Sequence, residues 1–182
     1  MPKLTAIRKQ ALEGMMKEAI FEATVAVLAE HGVGGMTMDR VAATAGVAKG
    51  SLYRYFRSKR ELLEFVHEKV LDPLARNLEA LVAASRPAVE KLADHLRVVL
   101  EHVAQNVQVH KLLFQDDAAY RLIRSSDRRS LERAAQGLAE IFRQGMDEGI
   151  FRSGNPNQFA SMYLGLCRGI LEGQPELARP EQ

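Results

Sequence analysis

A single cysteine, Cys167, stands in a chain of 182 residues, so no internal disulfide can form, and the thiol clusters of structural zinc sites and iron–sulfur centres are excluded. Six prolines and thirteen glycines are too few for a disordered or low-complexity chain. No apolar run approaches the roughly 18 to 20 residues that span a bilayer, and no membrane partner is expected. The opening residues MPKLTAIRKQ carry positive charge, but no apolar stretch follows them; a secretory signal is not expected and a cytoplasmic location is. What remains is the make-up of a soluble globular protein, 47% hydrophobic and 26% charged, able to bury one or two cores without staples.

The net charge of +2 is unevenly divided. Residues 1–60 hold ten Lys and Arg against five Asp and Glu, whereas residues 61–182 hold fifteen against eighteen. A basic head suited to a polyanion and a near-neutral body follow from this asymmetry, although a merely solvated basic surface gives the same count.

Apolar residues recur at spacings of three and four almost throughout, and no alternating β-branched run is long enough for a strand, so the fold class is all-α. A first helix over about 12–31 carries Ile20, Ala23, Thr24, Val27 and Leu28 on one stripe and stops at Gly32. Thr37 caps a short helix ending near Ala45, and Gly46 turns the chain into a second short helix over 49–56: a helix-turn-helix. Ser58 and Glu61 form a capping box for a longer helix in which Pro73 should introduce a kink or a break. Further helices are predicted over 88–109, 111–124, 127–148 and 156–172, with a frayed tail beyond Gly173. The domain reading is a DNA-binding unit over 1–57 and a regulatory body over 58–182.

The stretch from Thr37 to Leu62 holds V-A-x-x-A-G-V at Val41–Val47 and G-S-L-Y-x-Y-F-x-S-K at Gly50–Lys59. Together with the helix before it, this resembles the DNA-binding domain of TetR-family (tetracycline-repressor-like) transcriptional regulators over about residues 12–65. Independently of that likeness, Val41, Ala42, Ala45, Val47, Leu52 and Phe56 are spaced to pack the short helices inward, leaving the opposite face of 49–55 to enter a major groove about 12 Å wide. The resemblance implies phosphate contacts from Thr37, Tyr53, Tyr55 and Lys59, and places Lys49, Gly50, Ser51 and Arg54 nearest the bases. Ala48 departs from the family's usual serine cap, which costs the second short helix about 1 kcal/mol.

One such helix reads few base pairs, so a homodimer on a palindromic operator in double-stranded DNA is expected. Leu138 and Phe142 on one stripe, and Met162, Gly165, Leu166 and Gly169 on another, are the candidate dimer interface. The resemblance further implies a small, mostly apolar effector bound within the body, with Pro73 as a hinge. His67 and Asn77 fall within the apolar stripe of the helix after Ser58; His95 and Asn106 flank the Leu92–Val107 stripe, and His102 lies further toward solvent. Phe114, Tyr120 and Tyr163 complete the candidate ligand set. His95, His102 and His110 are wrongly spaced for a metal, and no metal or cofactor is expected. Cys167 reads as inert packing. No nucleophile–base pair, glycine-rich phosphate loop or H-E-x-x-H supports an enzyme. The leading reading is a repressor that an effector releases from DNA; the alternatives are a non-specific architectural DNA binder, or a helical carrier or enzyme with an incidental basic head.

Overall fold

The computed structural model describes residues 4–173, with side chains over 6–169. Among these residues every regular element is helical: α1 (Leu4–Gly35), α2 (Met38–Thr44), α3 (Lys49–Tyr55), α4 (Lys59–Ala83), α5 (Ala88–Gln105), α6 (Val107–His110), a π-helical turn (Lys111–Gln115), α7 (Asp117–Asp147) and α8 (Pro156–Gly173). The tail beyond Gly173 lies outside the described residues.

The local signals act as expected at the head. Gly32 has φ +62°, so α1 breaks there before a last turn to Gly35. Thr37 Oγ1 accepts the Arg40 amide at 3.2 Å and starts α2. Gly46, at φ +66°, lets the Val47 amide reach back to the Ala42 carbonyl at 3.0 Å, which aims α3 across α2. Ser58 Oγ accepts the Glu61 amide, while the Glu61 carboxylate takes the Arg57 amide at 2.7 Å, one residue upstream of the usual capping-box partner.

Two cores follow. Ile20, Val27, Leu28, Val41, Leu52 and Leu62 form the centre of the first, and it extends past the head to Leu113, Ala119 and Ile123 of the body. Ala88, Leu138, Ala139, Ile141 and Ala160 form the second, at the far end of the body. Helix α4 runs from the first toward the second, a length of about 37 Å at 1.5 Å per residue.

Several sequence expectations need correction. Pro73 does not divide α4, which stays helical from Lys59 to Ala83. Pro73 is exposed, and water can replace the amide that proline lacks. The helices expected over 111–124 and 127–148 are one: Asp116 Oδ1 accepts the Ala118 and Ala119 amides at 2.8 and 2.9 Å, and α7 then passes through Ser125, Ser126 and Asp127. Those three residues look like a helix cap in sequence, but their side chains are taken up by α4 and α8 instead: Ser125 bonds Glu64, Ser126 faces His67, and Asp127 meets Arg168. The helix expected over 88–109 ends at Gln105, because the Asn106 side chain donates to the His102 carbonyl at 2.9 Å and breaks the run.

Helix α3 begins at Ala48, whose extended backbone (φ −63°, ψ 140°) suits a cap but whose side chain supplies none. Ala48→Ser is therefore expected to stabilise the protein by about 0.5–1 kcal/mol, measured as a raised urea midpoint with unchanged slope. An unchanged midpoint would show that the start of α3 is not limited by its cap.

Candidate functional site

Two candidate regions stand at opposite ends of α4. In the head, Leu52 and Phe56 turn inward, leaving Lys49, Gly50, Tyr53 and Arg54 exposed on the outer face of α3, with Ser51 and Tyr55 half-buried at its edges. Thr37 is exposed nearby, and its hydroxyl hydrogen stays available after the oxygen has capped α2. Five of the eight candidate DNA-binding residues thus lie exposed on one surface, with Ser51 half-buried at its rim. Tyr55 divides its ring between that rim and the first core. Lys59 is the other exception: its ammonium donates to the Val33 carbonyl at the end of α1, and burial lowers its pKa.

The cations of this surface are not equivalent. Lys49 is paired with Asp39 at 2.7 Å, and that bond raises its pKa. Arg60 is engaged by Glu64 and, at 2.9 Å, by Ser125. Arg54 has no ion pair or side-chain hydrogen bond among the described residues and is the most available donor on α3. The Lys49–Asp39 contact was not anticipated from sequence, because ten residues and a glycine turn separate the partners.

In the body, α4, α5, the π turn, α7 and α8 enclose a cavity of about 670 Å³, within the 300–1,000 Å³ range of small-molecule sites. Its wall is mainly apolar: Leu71, Leu74 and Leu78 of α4, Val99 and Val103 of α5, and Leu131 of α7. Of the seven candidate ligand residues, His95 and Phe114 line it. Tyr163 stands behind His95, ring centroids 5.4 Å apart, with its hydroxyl 3.4 Å from the Leu92 carbonyl. His67 and Tyr120 are brought together elsewhere, around Asp127. Asn106 closes the end of α5, and Asn77 is exposed, away from the cavity. His102, placed toward solvent by its angle on the helix, is instead buried against His110 at 5.6 Å, because α6 brings His110 back over that side of α5.

The group around Asp127 is the main feature that sequence reasoning missed. The Asp127 carboxylate accepts from the Tyr120 hydroxyl at 3.0 Å and from Arg168 at 3.1 Å, and lies 3.7 Å from His67 Nε2. His67 Nδ1 is 3.0 Å from Ser126 Oγ, and Arg168 also donates to the Tyr120 oxygen at 2.8 Å. Burial pushes the Asp127 carboxyl up, but the nearby His67 ring, the Arg168 charge and the Tyr120 hydrogen bond together outweigh it and hold the pKa below the usual value. Asp127 and Arg168 both line the cavity and give it a polar edge, with His67 and Tyr120 behind them.

The candidate dimer residues separate into two groups. On α8, Met162 and Leu166 are 64% and 69% exposed, and Gly165 and Gly169 are open beside them. Leu138 is buried inside the second core, and Phe142 packs among Phe151, Phe159 and Tyr163 within the chain. The apolar stripe of α7 serves the chain's own interior.

Comparison with known proteins places this geometry. The sequence model of the family described as bacterial regulatory proteins, tetR family, matches residues 20–66, which contain α2, α3 and the inward face of α1. The chain is 32% identical over 143 residues to the HTH-type transcriptional repressor SCO4008 of Streptomyces coelicolor, covering 77% of this chain and 69% of that protein. It is 28% identical over 124 residues to the nucleoid occlusion factor SlmA of Actinobacillus pleuropneumoniae, covering 64% of this chain and 58% of that one. Among solved structures, the SmeT–triclosan complex superposes with a TM-score of 0.75 at 26% identity, covering 90% of this chain and 83% of that one.

The buried histidines make stability depend on pH. Burial pushes His95 down to about 4; burial, with the charges of His102 and His67, does the same for His110; His102 is also lowered by burial. Unfolded histidine binds its proton near pH 6.5, so between about 6.5 and 4 the unfolded chain holds more protons than the folded one. The stability present above pH 6.5 is then lost as pH falls, by up to about 1.4 kcal/mol per pH unit for each such histidine. The urea midpoint is expected to fall from pH 7.5 to pH 5, and to fall less in His95→Gln. Equal midpoints at both pH values would mean that these rings are protonated as readily folded as unfolded.

Proposed function

Because the chain belongs to the tetR family of bacterial regulatory proteins, we propose that it is a sequence-specific, homodimeric transcriptional repressor, released from a palindromic operator by a small, mostly apolar effector. The observation that carries this reading is the pairing of an exposed, basic outer face on α3 with an apolar cavity, joined by the single helix α4. The working division is a DNA-binding unit over 1–57 and a regulatory and dimerisation unit over 58–182. It acts on cytoplasmic DNA, and among the described residues no helix is long and apolar enough to cross a membrane.

In this reading α3 enters the major groove, with Arg54 donating to a base edge and Tyr53, Thr37 and the rim cations meeting phosphates. Lys49 reaches DNA by exchanging Asp39 for a base or phosphate, and Lys59 by leaving the Val33 carbonyl. Met162, Gly165, Leu166 and Gly169 of α8 meet their copies in a second chain, a use that explains why two large apolar side chains stand exposed four residues apart. The two recognition helices then address half-sites about 34–36 Å apart. The effector binds one arrangement of α4 more tightly than the other and so shifts the population away from the spacing that DNA requires. The bound small molecule of SmeT, triclosan, supports a ligand role for the body.

Fluorescence anisotropy of the protein on its own upstream DNA and on a scrambled duplex, across several salt concentrations, tests the reading. A preference for its own DNA with a steep salt dependence is expected; equal binding to both would favour architectural binding. Arg54→Ala is expected to weaken binding to the cognate site by about tenfold to a hundredfold while changing scrambled-duplex affinity only a few-fold. Leu166→Glu is expected to sediment as a folded monomer, and a persistent dimer would move the interface off α8.

A further inference from the structure

Buried polar atoms normally find partners within the protein, and those that do not point to a bond made with something else. Both ring nitrogens of His95 are buried with no protein group to bond, as are Nε2 of His102 and Nε2 of His110. His95 is 3% exposed, and it and His110 line the same cavity. Seven residues of α5 separate His95 from His102, roughly 10 Å at 1.5 Å per residue, and His102 touches His110. The apolar wall of Leu74, Leu78, Val99 and Val103 thus has a hydrogen-bonding point at each end.

The charged side chains on the cavity lining balance in number, and all but one pair lie at its edge. Lys111, Arg133 and Arg168 on its lining are matched in number by Glu79, Asp127 and Glu140. Arg168 and Asp127 are bonded to each other, and the remaining four are exposed side chains at the periphery. A carboxylate or ammonium held against the apolar middle of the wall, beside His95, loses its hydration without a compensating partner there. A neutral imidazole, by contrast, offers one N–H donor and one lone-pair acceptor, which suits a hydroxyl or a carbonyl.

We infer that the effector is an uncharged, predominantly hydrocarbon molecule carrying a hydroxyl, phenol or carbonyl group that hydrogen-bonds His95, with His110 as a second such point on the same cavity. This rests on the effector-binding role proposed for the body and specifies its chemistry. Burial keeps both rings neutral at physiological pH, consistent with a neutral partner. The groups that face them are Tyr163 beside His95, and His102, His67 and Phe114 beside His110.

The test uses the full-length protein at pH 7.5, with 1,6-diphenylhexatriene, a hydrocarbon without hydrogen-bonding groups, as a fluorescent occupant. Three competitors share an eight-carbon chain and differ in head group: 1-octanol, nonanoate and octylammonium. Octanol is expected to displace the dye at least tenfold more effectively than either ion. His95→Leu should weaken octanol about tenfold while leaving dye affinity within twofold, and dye binding certifies that the variant is folded. His95→Gln, which keeps a donor and an acceptor, should retain octanol binding even where His95→Leu does not fold. An ion competing as well as octanol, or octanol affinity unchanged in His95→Leu, overturns the inference while leaving an effector cavity standing. Failure of the dye itself to bind overturns both the inference and the effector role on which it rests.

Discussion

Leu62, Leu63 and Val66, all without solvent exposure, seat the first turns of α4 in the same core that holds α1, α2 and α3. Three turns further along the same helix, Leu74 and Leu78 face the cavity of the body. Everything proposed for the molecule depends on this double seating. A side chain of Leu size in a close-packed core cannot slide freely, since losing its contacts costs a few kcal/mol. Any displacement at the cavity end of a stiff helix must therefore be carried to the head, or else be resisted there. The head cannot be treated as a loosely tethered module: its core already includes Leu113, Ala119 and Ile123 from the body.

Polar contacts reinforce the same joint. Glu64, one turn after the start of α4, is bonded by Arg60 and by Ser125 of α7, and His67 meets Ser126 and Asp127 one turn later. Asp127 in turn binds Arg168 of α8, the helix that carries the exposed apolar residues assigned to the dimer. The first turns of α4, the cavity wall and the dimer helix thus share one connected group of polar side chains, with His67 and Asp127 buried at its centre. Such a group is costly to break by removing a single member, because the remaining charge is left buried and unpaired. It is suited to holding two discrete arrangements rather than a continuum of them.

What could be read from sequence was local. The helix stops at Gly32 and Gly46, the caps Thr37 and Ser58 and the outward face of α3 are all set by neighbours within a few residues, and each stands as expected. What could not be read was the side of each long helix that tertiary contacts would claim. Asn77 shares a stripe with Leu74 and Leu81, yet α4 buries the adjacent line of Leu71, Leu74, Leu78 and Val82, and Asn77 falls outside it. Leu138 and Phe142 make an apolar stripe equally good for a dimer or an interior, and α5, α8 and the Phe151 ring take it for the interior. Asp127, a helix cap by its position in sequence, becomes the centre of a buried cluster because His67, Tyr120 and Arg168 converge on it from three helices. Pro73 carries a breaking signal that two flanking cores override.

The continuity of α4 through Pro73 is the claim on which the coupling stands. Native-state hydrogen exchange, resolved along that helix, tests it directly. Amides from Leu62 to Val70 and from Leu78 to Val82 are expected to open with the same free energy, as parts of one cooperative unit. Exchange of the second segment orders of magnitude faster than the first, with the break at Pro73, would contradict a rigid connection between cavity and head.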